Sequence, residues 1–201
     1  MEQIGSGTST ISVLCAMWLW ILLAAASWTD LRVRRISNKL VLAGALSGVV
    51  LNTVLPEGSG LFGVLPGGLG FLNALGGLAA GLGVLLPLYL LRAMGAGDVK
   101  LMAMIGAFLG PASTLGAVLM TFLAGGTLAL AVALWKGVLR STLANIRFMM
   151  LHTMIKAMSG QGTQIDASPA SATGKLPYAL AIAAGTVAQI LLARNGHAFL
   201  S

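Results

Sequence analysis

Charge is what this sequence lacks. Only 8% of its residues are Asp, Glu, Lys or Arg, against about 25% in an ordinary soluble domain. That excludes a water-soluble surface over most of the chain, and a mean hydropathy of +0.93 points to lipid as its solvent. Cysteine is nearly absent. Cys15 alone, inside an apolar run, allows neither an intramolecular disulfide nor a cysteine-based zinc site, and reads as a small buried hydrophobe. The two histidines, His152 and His197, have no ligand-like spacing, so no metal and no cofactor are expected. Net charge is +7, but the basic residues occupy short segments between apolar runs and are not interleaved with aromatics. The expected partner is therefore the bilayer and not nucleic acid.

What is present is a series of six apolar runs: 11–27, 40–55, 69–91, 99–110, 112–135 and 176–193. A full crossing takes about 20 residues. The second and fourth runs are short, and the fourth is stopped by Pro111, which cannot continue a helix. The first run lacks a basic segment before it and reads as a retained helix instead of a cleaved signal. Six crossings put Arg32, Arg34, Arg35, Lys39, Arg92, Lys100, Lys136, Arg140, Arg147, Lys156 and Lys175 on one side. Only Arg194, of twelve basic residues, falls beyond the last run. The positive-inside rule makes the shared side cytoplasmic and both termini external. The expected fold is an all-α, polytopic, multi-pass protein of a bacterial inner membrane, a single domain over 1–201. Within it, 136–176 forms a basic cytoplasmic loop. Leu139, Leu143, Ile146, Phe148, Met149 and Met150 in that loop suit an interfacial helix.

Of five acidic residues, Glu2, Glu57 and Asp166 fall in polar segments. Asp30 follows the first run, and Asp98 precedes the fourth. Both lie at helix ends on the cytoplasmic side, where ionisable groups at membrane depth tend to be functional. Plain readings exist: Asp98 as an N-cap, Asp30 as a partner of the nearby arginines. The pairing suggests more. Two carboxyls sharing one proton can activate water and also protonate a peptide carbonyl or leaving amine. Asp98 at a helix start and Asp30 at a helix end would divide those roles, with Asp98 the base, because the helix dipole favours anions only at the N-terminus.

Gly95-Ala96-Gly97-Asp98 is a GxGD motif, and 95–110 resembles the matching segment of prepilin peptidases, the type IV leader peptidase family. Residues 30–38, Asp30 followed by basic residues and Ile36-Ser37-Asn38, resemble the family's first-aspartate segment, with Ser37 where proline is usual. Pro177-Tyr178 and 181–185 look like its last helix. The resemblance implies that Asp30 and Asp98 are the catalytic pair. It makes Gly95 and Gly97 backbone hinges at unusual φ/ψ, and Lys100 and Asn38 motif residues. Lys100 also reads as a positive-inside anchor. The implied substrates are prepilins and possibly pseudopilins with a basic leader, cut at the cytoplasmic face. With no cysteine-rich methyltransferase segment, the chain looks like the short form found with Tad/Flp-type pili. Oligomeric state is not legible. Three other readings are weaker. A presenilin-type peptidase needs Tyr-Asp and Pro-Ala-Leu motifs, where this chain has Thr29-Asp30 and Pro177-Tyr178-Ala179-Leu180. A non-catalytic subunit of a pilus or secretion assembly is not excluded by hydropathy. A transporter would place its charges at the midplane.

Overall fold

The computed structural model describes residues 2–55, 68–91, 94–137 and 178–194. Among them every element is an α-helix: α1 (Glu2–Val33), α2 (Asn38–Val54), α3 (Gly70–Leu90), α4 (Ala96–Trp135) and α5 (Tyr178–Arg194). Three stretches are long and apolar enough to cross a membrane, Val13–Val33, Gly70–Leu90 and Ala96–Trp135, while Asn38–Val54 and Tyr178–Ala193 are shorter apolar helices. The chain divides into two compact units, Met1–Ala124 with Pro177–Ser201, and Gly125–Leu176. The second is described only by the end of α4 and the turn after it. The expected interfacial helix and nearly all of the basic loop lie outside the described residues.

α4 is not one rod. Gly110 has φ 74° and ψ 172°, outside the helical region, and Pro111 follows it. The fourth and fifth apolar runs are thus joined by a single-residue break at Gly110. Proline offers no N–H to the carbonyl four residues back, so carbonyls on the turn before the break lose their donors. Asn52 supplies them: its Nδ2 donates to the carbonyls of Ala107 at 2.7 Å and Phe108 at 3.3 Å. Its Oδ1 accepts from the backbone N–H of Leu69 at 3.4 Å. In a lipid environment freed backbone groups must find such partners within the protein.

The contacts give each rod a direction. Trp18 Nε1 donates to Ser47 Oγ at 3.0 Å and Leu22 lies beside Gly44, so α1 and α2 are antiparallel. Gly44 meets Met104 and Gly48 meets Phe108, so α2 runs parallel to the first limb of α4, 96–109. Gly77 meets Gly106 and Gly81 meets Met102, so α3 opposes that limb. Gly116 meets Gln189 and Gly185 meets Thr121, so the second limb opposes α5. Because α5 starts beside Asp30, the second limb returns toward the end where the first began.

The first limb is the centre of the unit. Residues 101–110 are all buried, as expected for a helix apolar on every side. Leu19, Leu22, Leu85, Met102, Phe108 and Ile182, from four helices, join one core cluster. Glycine lets the backbones approach. A Cβ at Gly77 would collide with the carbonyl oxygen of Gly106, and one at Gly106 with that of Gly77. Such small-residue seams are how helices pack where no hydrophobic effect drives them together.

Candidate active site

Asp30 and Asp98 reach one region from different helices. α1 continues past Asp30 to Val33, and Arg34 then turns the chain with φ 53°, a left-handed conformation rare for a residue with a Cβ. The Arg34 N–H still donates to the Asp30 carbonyl at 2.9 Å, so the α1–α2 connection leaves the helix under tight control. Arg32 stacks over Trp28, 4.6 Å from the ring centroid, which directs one of the nearby cations to an aromatic face instead of the Asp30 carboxyl.

The Asp30 side chain is half-buried. Its Oδ2 accepts a hydrogen bond from the backbone N–H of Ala179 at 3.3 Å. Ala179 lies in the first turn of α5, where N–H groups have no partner inside their own helix. Asp98 lies in the first turn of α4 and is 8% exposed. Its Oδ2 accepts from the Gly95 N–H at 3.2 Å, while its own N–H donates to the Gly95 carbonyl at 3.1 Å. The two carboxyls interact electrostatically.

One expectation changes here. The dipole asymmetry is not observed: Asp98 lies in the first turn of α4, but the Asp30 carboxyl also meets a helix N-terminus, that of α5. The helix ends therefore give no ground for unequal roles. At the two motif glycines the backbone is not left-handed. Among the described residues, positive φ occurs at Gly70, Gly110, Gly137 and Arg34, not at Gly95 or Gly97. Both sit close to a side chain. A Cβ at Gly95 would lie 3.1 Å from Asp98 Oδ2, and one at Gly97 would lie 3.3 Å from Ile36 Cβ. At Gly97 the absent side chain lets Ile36, in the α1–α2 connection, pack closely on the start of α4.

Lys100 and Asn38 meet as well. Lys100 Nζ donates to Asn38 Oδ1 at 3.1 Å, across 62 residues of sequence. Sequence reasoning singled out each residue separately but carried no signal of the pairing. It also missed Ala179, whose contribution is a backbone group. Among the described residues no cluster of three or more His, Cys, Asp or Glu is placed to hold a metal. What the region offers is two neighbouring carboxyls, each held through one oxygen by a backbone N–H.

A family model described as "Type IV leader peptidase family" matches residues 17–130, a stretch that contains Asp30, Asn38, the GxGD segment and Lys100. No curated protein and no solved structure matches the chain significantly.

Proposed function

The chain belongs to the type IV leader peptidase family, and from that premise we propose that it is an intramembrane aspartyl endopeptidase whose catalytic pair is Asp30 and Asp98. The observation that carries this reading is that the two carboxyls stand at one end of one helical unit, within electrostatic reach of each other. In the proposed mechanism the pair works with one proton between them. A water between them attacks the scissile carbonyl carbon. Its proton passes to the ionised carboxylate, and the carbonyl oxygen takes the proton of the other. Collapse of the tetrahedral intermediate breaks the C–N bond: the protonated carboxyl gives its proton to the leaving amine, and the other carboxylate takes one from a gem-diol hydroxyl, which restores the one-proton dyad. In this reading the Ala179 and Gly95 N–H groups fix one oxygen of each carboxyl and leave the other oxygen to face the water.

The helices form six crossings in this account: α1, α2, α3, the two limbs of α4, and α5. At 1.5 Å per residue the limb 96–109 is about 20 Å long, shorter than the roughly 30 Å hydrocarbon core. It is tolerated because protein and not lipid surrounds it. Placing eleven of the twelve basic residues on one side puts the aspartates at the cytoplasmic face of a bacterial inner membrane. The substrate is a prepilin, of the Flp type, with a short basic leader in the cytoplasm and an apolar helix in the bilayer.

The test is direct. Purified protein in lipid nanodiscs is mixed with a prepilin carrying a basic leader and an apolar helix, and the products are identified by mass spectrometry. A single cut at the leader–helix junction supports the reading. Intact substrate under conditions where the protein remains folded removes it and leaves a non-catalytic role.

A further inference from the structure

We infer that Lys100 and Asn38 are a pair of positioning residues: their hydrogen bond sets the separation of the two aspartates. The inference rests on the catalytic reading above and deepens it.

Nothing covalent aligns the aspartates. Asp30 lies in the last turn of one helix and Asp98 in the first turn of another, and α2 and α3 intervene in the chain. Their separation depends on how the α1–α2 connection docks on the start of α4. That connection is tied to Asp30 at one end by the Arg34 N–H on the Asp30 carbonyl, 2.9 Å. At its other end α2 begins at Asn38, with the Val41 N–H on the Ser37 carbonyl at 3.2 Å. Two contacts then close the gap to α4. Ile36 packs on Gly97, where a Cβ would stand only 3.3 Å away. Lys100 reaches Asn38 at 3.1 Å. These two points bracket Asp98 in sequence, one residue before it and two after.

The two contacts differ in kind. Packing of Ile36 on Gly97 limits approach but does not resist sliding. A charge-assisted hydrogen bond is directional and supplies the missing restraint. Lys100 and Asn38 are both exposed, so the bond adds little to overall stability. It acts on the register of two catalytic segments, where a misplacement of about 1 Å can cost a hundredfold in rate.

A lysine that serves only as a cytoplasmic-face anchor makes a different forecast, and a double-mutant cycle separates the two. Lys100→Met and Asn38→Leu are each expected to lower kcat by roughly tenfold to a hundredfold, with KM within about twofold. The double variant is expected to be no worse than the poorer single one. Lys100→Arg and Asn38→Asp, which keep a donor and an acceptor, are expected to stay within about threefold of the parent. Additive losses, or full activity in either single variant, overturn the inference. A second readout needs no catalysis. Spin labels on Leu31→Cys and Ala96→Cys, both exposed positions, in a Cys15→Ala background report the distance across the site. Lys100→Met and Asn38→Leu should each broaden or shift that distribution, and an unchanged distribution overturns the tether. Failure of the parent to cleave prepilin removes the proposed function, while the label distances still decide the tether.

Discussion

The backbone N–H of Ala179 donates to the Asp30 carboxyl at 3.3 Å, across 149 residues of sequence. α5 lies beyond the residues 17–130 that match the family, yet its first turn touches one of the two aspartates. Proline is tolerated in a first helical turn, where its missing N–H breaks no intrahelical bond. Ala179→Pro therefore removes the donor and leaves the helix. The expected result is a loss of roughly tenfold in cleavage rate, the equivalent of about 1.4 kcal/mol, with the melting temperature within a few degrees. Tyr178→Pro, one residue earlier, keeps the Ala179 N–H and is expected to keep the rate. Equal losses in the two variants would assign the effect to proline itself.

Asn52 holds the break in α4, and removing its amide leaves the carbonyls of Ala107 and Phe108 without that donor. Asn52→Leu is expected to lower stability by about 1–3 kcal/mol, the cost of leaving buried polar groups unsatisfied. Unfolding equilibria in mixed micelles measure this, and an unchanged midpoint would show that other groups satisfy the turn.

Glycines that look alike in the sequence differ in what surrounds them. A Cβ at Gly77 would strike the Gly106 backbone, whereas one at Gly83 has nothing within 4 Å. Gly77→Ala is expected to force α3 away from α4 and to lower the folded yield severely. Gly83→Ala should be neutral or stabilise by up to about 1 kcal/mol through helix propensity. Thermal melts of the two variants, side by side, check the contrast.

Gln189 is fully buried against Gly116, and among the described residues neither of its amide atoms has a hydrogen-bond partner. A buried amide in that state costs about 1–3 kcal/mol. Gln189→Leu is expected to raise the melting temperature, and a lowered one would mean that the amide is satisfied in the membrane.

The sequence carried the helical architecture because lipid leaves the backbone few alternatives. Long apolar runs and a proline with a preceding glycine located α1, α3 and the break at Gly110. It also singled out the two aspartates, because, of the five acidic residues, only these two stand at the ends of apolar runs. What it did not carry depends on contacts between distant segments. The resemblance made Gly95 and Gly97 places where the backbone bends; the packed helices add that Gly95 lies close to Asp98 and Gly97 close to Ile36, which composition alone does not show. The same holds for Lys100 on Asn38, Asn52 on the α4 turn, and the Ala179 N–H on Asp30. Each pairs groups whose proximity only the packed helices create.

The measurement that tests the central claim most directly is the prepilin cleavage rate of Asp30→Asn and Asp98→Asn beside the parent, in the same bilayer and with folding verified. Each replacement keeps shape and hydrogen-bonding capacity but removes the carboxyl. The account predicts that each single variant loses at least about a thousandfold in kcat, and that the double variant loses little more, because residues acting as a unit are non-additive. Cleavage by either single variant within tenfold of the parent would contradict it.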